Sequence, residues 1–323
     1  MWELIFWIGL FIGSYIIIYF AADLFLDNLK VICRVYNLSP LIIGMLILGI
    51  DPEESIASII SATNGLPYIS MGNIIGNSII AMTLPFSIAL MMKPIKIRPI
   101  SSFYIILIFI LLIIIFTGLT FNNFLVVSGI LALICYVVYF GWNLKHYSKK
   151  NKEGSKSIDI KLLVRDFERP QIVVKYKIIL LIAIGFILIL FGGELLIYSA
   201  DKILEFINVS EAFFGFIIIG FVTNVEELTL VVKSIKKEST EIGIGGMVGK
   251  VIWNISVTFG ISSIIIMNIA FNIVLILNLF TLSLVFIMYS FFFRREYLKR
   301  SHGFLLLFIF TLFLSLNFIT IQT

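Results

Sequence analysis

Charge is scarce in this chain: only 13% of its 323 residues are Asp, Glu, Lys or Arg, against 60% that are apolar. A soluble globular domain carries about a quarter charged residues, so that class is excluded. Histidine and cysteine are scarcer still, with 2 of each. His146 and His302 sit in charged loop contexts, which predicts solvated rings and not ligands. Cys33 and Cys135 lie in or near apolar segments without metal-ligand spacing, which argues against a zinc module and against a disulfide between them. No His/Cys metal set, nucleophile motif or phosphate loop is present, so an enzyme is not expected and no cofactor is implied. The formal net charge of +5 does not point to nucleic acid, because the basic residues fall in short segments between apolar runs. The start, Met1-Trp2-Glu3, lacks the basic flank of a signal peptide, so the first apolar run is expected to be retained.

What the chain does have is long apolar runs. Runs of about 20 residues suit a bilayer, and ten are predicted: 3–27, 39–63, 69–92, 101–120, 123–145, 176–200, 211–233, 242–268, 270–293 and 303–321. The expected fold class is therefore all-α, a polytopic membrane protein whose partner is the lipid bilayer. The longest polar stretch separates a first five-helix unit, 1–145, from a second, 176–323, with 146–175 as linker. All but two of the 24 Lys and Arg residues fall in alternate loops, the exceptions being Lys202 and Lys250. By the positive-inside rule the linker is cytoplasmic and both termini lie outside the cell membrane.

The two units repeat each other. Phe20 to Gly49 aligns without a gap on Phe191 to Gly220, pairing Asp23 with Glu194 and Asn37 with Asn208. An odd number of spans per unit means that the second copy enters from the opposite side, which gives two inverted repeats. Each copy then runs into an acidic pair inside an apolar segment, Glu53-Glu54 and Glu226-Glu227. Carboxylates at that depth are costly and mark ion pathways. The alternatives are a duplication kept for packing and acids that mark helix ends at the interface. Pro52, between Asp51 and Glu53, is expected to break the second span near the bilayer centre and free a carbonyl for a cation. Adjacent helical residues point about 100° apart, so one member of each Glu pair is expected to face the cavity.

Polar residues of the third and eighth spans are the expected partners. Asn73 and Asn77 are one turn apart, as are Lys250, Asn254 and Thr258. Asparagine carbonyls suit hard cations; the alternative for these residues is interhelical hydrogen bonding. Three roles are open to Lys250: neutralising a carboxylate, acting as a resident cation in place of a metal ion, or snorkelling to the cytoplasmic side.

With these residues in view, the sequence resembles the sodium/calcium exchanger family within the cation/Ca²⁺ antiporter superfamily, over most of its length. Ala22-Asp23 and Gly193-Glu194 are similar to the family's repeat starts, Gly215 to Glu227 to its second core, and Gly72-Asn73 to Gly76-Asn77 to its partner helix. The resemblance places the two central metal-binding glutamates on Glu54 and Glu227, and a cation-binding threonine carbonyl on Thr223. Asn224, Asn77 and Asn254 stand where the family has serines, and Lys250 where it has an asparagine. Asp51 and Pro52 stand in an altered first core that lacks the threonine. It further implies that spans one and six slide against the rest of the bundle. The full candidate set for metal contact is Asp51, Glu53, Glu54, Asn77, Thr223, Asn224, Glu226, Glu227, Lys250 and Asn254.

The function so implied is secondary antiport of inorganic cations by alternating access: Ca²⁺ or another divalent ion against Na⁺ or H⁺, with the cations as substrates. The altered ligands leave monovalent ions and protons alone as a further option. A sensor or partner subunit on a degenerate exchanger fold, without transport, is the competing class.

Overall fold

A computed structural model describes residues 2–35, 49, 51–96, 101–152, 173–206, 214–220, 224, 228, 240–295 and 297–319. Its elements in chain order are α1 (Trp2–Val35), α2 (Pro52–Thr63), α3 (Pro67–Met92), β1 (Ile95–Lys96), α4 (Ser102–Thr120), α5 (Leu125–Lys152) and α6 (Val173–Phe206). After a π-helical turn (Phe214–Ile219) come α7 (Thr240–Trp253), a π-helical segment (Asn254–Thr258), α8 (Phe259–Ile266), α9 (Ile273–Phe292), β2 (Tyr297–Leu298) and α10 (Arg300–Ile319). The protein is an all-α, multi-span membrane protein apart from the two-residue strands β1 and β2. These pair antiparallel, Ile95 opposite Leu298, and tie the loop after α3 to the loop before α10.

Among the described residues, eight helical segments are long and apolar enough to cross a bilayer: Trp2–Ala21, Pro67–Met92, Ser102–Thr120, Leu125–Asn143, Tyr176–Phe206, Gly245–Ile266, Ile273–Phe292 and Arg300–Phe318. The second and seventh expected spans fall partly outside the described residues, with α2 and the turn Phe214–Ile219 inside them. α5 continues past the expected end at 145 to Lys152, and α6 begins at Val173.

The molecule is apolar outside and polar at its centre. Ile106, Ile113, Ile134, Val137, Phe191, Phe280, Phe291 and Phe308 are exposed, whereas Asp51, Glu54, Asn73, Asn77, Lys250 and Asn254 are buried. Water would penalise that distribution and lipid favours it. α3 is the axis of the bundle, buried on nearly every side from Ile69 to Leu90. It lies against the π-helical turn so closely that a Cβ added at Gly72 would fall 2.8 Å from Phe216 N, and one at Gly76 2.8 Å from Phe216 Cα. Only glycine permits that approach.

Two apolar cores form. The larger joins α3, α4, α5 and α7 to α10 through residues such as Ile79, Leu111, Phe259, Leu282 and Phe313. The smaller joins α1 and α6 to α2 and the π-helical turn through Phe11, Ile18, Ala57, Leu196, Ile197 and Phe214. α1 and α6 run antiparallel: Trp7 meets Tyr198 at 5.5 Å between ring centroids, Gly192 abuts Ile18, and Gly185 abuts Phe25.

Pro52 occupies the first turn of α2, where no backbone hydrogen bond is lost, and Asp51 before it is not helical; residues 36–48 and 50, the N-terminal part of the span expected to break here, lie outside the described residues. Asp51 is the N-cap, its Oδ1 accepting from Glu54 N at 3.3 Å. The acidic segment is thus the N-terminus of α2, where the helix dipole favours negative charge.

Candidate cation-binding site

Glu54 lies on the first turn of α2 with no solvent exposure. Asp51 caps the same turn and is 4% exposed. α7 runs past this turn and presents Lys250, whose Nζ pairs with Asp51 Oδ2 and lies 2.9 Å from Glu54 Oε1. One helical turn later Asn254 Nδ2 donates to Glu54 Oε2 at 3.1 Å. Both oxygens of one buried carboxylate are therefore held by Lys250 at the end of α7 and Asn254 at the start of the π-helical segment, which satisfies the demand for charge pairing inside a low-dielectric bundle.

The backbone of that turn is fixed from α3. Asn73 Nδ2 donates to Glu54 O at 3.2 Å and to Ser58 Oγ at 2.8 Å. From Asn254 the helix loosens into the π-helical segment, a distortion frequent at functional sites. Thr258, at its end, still reaches α2: its Oγ1 lies 2.8 Å from Ser55 Oγ, which also accepts from Trp253 Nε1 at 2.7 Å. Lys250, Asn254 and Thr258 thus all meet the first turn of α2.

Further along α3, Asn224 Nδ2 donates to Gly220 O at 2.6 Å and reaches Asn77 O at 3.5 Å. Asn77 is fully buried on the same α3 face as Asn73, one turn on. The side-chain carbonyl oxygens of Asn73, Asn224 and Asn254 are buried and accept no hydrogen bond among the described residues. Oxygens of this kind are hard donors suited to alkali and alkaline-earth cations. Among the described residues no three acids, histidines or cysteines gather into a metal-holding group, so the donor set here is carboxylate plus amide.

The structure therefore brings Asp51, Glu54, Lys250 and Asn254 into contact and sets Asn77 beside Asn224. Thr223, Glu226 and Glu227 lie outside the described residues, as does the side chain of Glu53. Ser55, Ser58 and Trp253 were not marked by the sequence. A serine at the i+4 position from Glu54 was the available signal for Ser58, and it is weak because serine is common in membrane helices.

Comparison with known proteins bears on the family and the fold. The model of the family described as "Sodium/calcium exchanger protein" matches residues 6–145 and 177–319. Membrane protein MJ0091 of Methanocaldococcus jannaschii is 27% identical over 263 residues, covering 81% of this chain and 82% of its own. Inner membrane protein YrbG of Escherichia coli K12 is 22% identical over 262 residues, covering 79% and 78%. A solved structure of the sodium-calcium exchanger NCX_Mj, soaked with Na⁺ and Sr²⁺, superposes with a TM-score of 0.61 at 22% identity, covering 97% of this chain and 99% of that one. A family match over both halves of the chain and a shared fold lead to one conclusion: this chain belongs to the sodium/calcium exchanger protein family.

Proposed function

We propose that the chain is a secondary cation antiporter that binds its substrate cation at the carboxylates of Glu54 and Glu227 and exchanges it for Na⁺ or H⁺ by alternating access. The observation that carries this is the Glu54 carboxylate, fully buried and fixed at a helix N-terminus, with amide oxygens of Asn73 and Asn254 close by that accept no hydrogen bond among the described residues. Asp51, Asn77, Thr223, Asn224, Glu53 and Glu226 complete the proposed contacts. The architecture proposed is ten spans in two inverted five-helix units, 1–145 and 176–323, joined by a cytoplasmic linker 146–175 with both termini outside. The antiparallel run of α1 against α6, the first helix of each unit, supports inversion. α1 and α6 meet α2 and the π-helical turn through an apolar core distinct from the larger one, and an apolar contact of that kind supports their sliding as a pair.

Ion flux in proteoliposomes tests this. Glu54→Gln and Glu227→Gln should each abolish gradient-driven exchange, and unchanged exchange in both would overturn the proposal. One observation favours a second function, a non-transporting sensor or partner subunit: Lys250 already holds the Glu54 carboxylate. That function predicts no thermal stabilisation by Na⁺, Ca²⁺, Mg²⁺ or Mn²⁺ in detergent, whereas a bound substrate cation stabilises the folded state.

A further inference from the structure

Lys250 is buried, 3% exposed, and its ammonium sits between two carboxylates from the other unit of the chain. A side chain that snorkels would extend towards water; this one ends on Asp51 and Glu54, at the first turn of α2. Asn254 shares the site, and its buried carbonyl oxygen accepts no hydrogen bond among the described residues. That oxygen and the two carboxylates form a donor set for a cation, and the cation now among them is covalently attached to the protein. Asp51 and Glu54 carry two formal negative charges and Lys250 one positive charge, so this half of the site has a formal net charge of −1.

We propose that Lys250 is a tethered cation that sets the charge selectivity of the site, tuning the Asp51–Glu54 half for a monovalent cation over a divalent one. This rests on Glu54 being a cation ligand. The physical basis is Coulombic. A divalent ion gains most from two uncompensated carboxylates, and a fixed ammonium within 3 Å of one of them repels a divalent ion twice as strongly as a monovalent one. Loading also displaces the ammonium from its partners, so the incoming cation competes with Lys250 for the same oxygens. Asparagine at 250 would remove the competitor and add an amide oxygen.

The test is cation binding by the purified full chain, read as the concentration of NaCl, CaCl₂ or SrCl₂ that gives half-maximal thermal stabilisation. Lys250→Asn and Lys250→Met should each bind Ca²⁺ and Sr²⁺ at least about tenfold more tightly than wild type, with a smaller change for Na⁺. A double variant, Lys250→Asn with Asp51→Asn, restores a net charge of −1, carried by Glu54 alone, and should lose the divalent gain. It buries one uncompensated carboxylate where the single variants bury two, and so reads out the charge effect if those fold poorly. Divalent affinities within about twofold of wild type in the lysine variants, while Glu54→Gln weakens wild-type binding, would overturn the role of Lys250 and leave the site standing. Binding of every cation unchanged by Glu54→Gln would overturn the site itself, and this inference with it.

Discussion

At the scale of single residues, the centre of the molecule is organised around one carboxylate. Glu54 Oε2 accepts from Asn254 and Oε1 faces Lys250, while its backbone carbonyl accepts from Asn73. Asn254→Leu keeps volume but strips a donor from a buried charge, a loss of about 1.5–3 kcal/mol. It should lower the melting temperature in detergent and weaken cation binding together. Ser58→Ala removes only the second acceptor of Asn73, for about 1 kcal/mol; the melting temperature should fall slightly and flux should persist. A fall in flux to the level of Glu54→Gln would show Ser58 to be more than a support. Glu54, Lys250 and Asn254 were legible in the sequence because charge and amides inside apolar runs have few structural excuses. Ser55 and Trp253 were not, because nothing distinguishes a hydroxyl or indole at a site from one satisfying its own helix.

Among the secondary-structure elements, the crossing of α3 over the turn Phe214–Ile219 determines where the amides stand. Gly72 and Gly76 let the two backbones meet, which holds Asn77 next to Gly220 and Asn224. Gly76→Ala should force them apart at about 1–3 kcal/mol. Gly141→Ala, at an α5 position with open space, should leave the melting temperature unchanged or raise it. Equal effects in the two variants would contradict the close crossing. Eight of the ten expected spans followed from hydropathy, since a bilayer tests length and apolarity alone, and the second and seventh fall partly outside the described residues. The place of Pro52 in a first helical turn was less legible, because proline marks a kink and a first helical turn alike, and the N-cap geometry of Asp51 shows the second. The π-helical segment at Asn254–Thr258 has no sequence mark, and the ladder of Ile95 with Leu298 is too short to leave a period. The family resemblance placed Thr223 and Glu227, and both lie outside the described residues.

For the whole molecule, the proposed antiport has the α1–α6 pair moving relative to the bundle that holds the candidate site. Gly193 of α6 faces Ile56 of α2, and a Cβ added at Gly193 would stand 3.9 Å from Ile56 Cβ. That separation suits a disulfide, whose Cβ atoms lie about 3.5–4.5 Å apart. Gly193→Cys with Ile56→Cys, in a chain with Cys33 and Cys135 replaced, should form a cross-link that stops flux until a reductant restores it. Undiminished flux in the oxidised form would rule out sliding between α6 and α2. The central claim is that a cation bound at Glu54 crosses the membrane only in exchange for another. Its most direct measurement is counterflow in proteoliposomes, with labelled Na⁺ or Ca²⁺ outside and an excess of the unlabelled ion inside. Transient uptake of label by wild type, and none by Glu54→Gln, is the predicted result. Equal uptake by the two, or none by wild type with any cation pair, would contradict it.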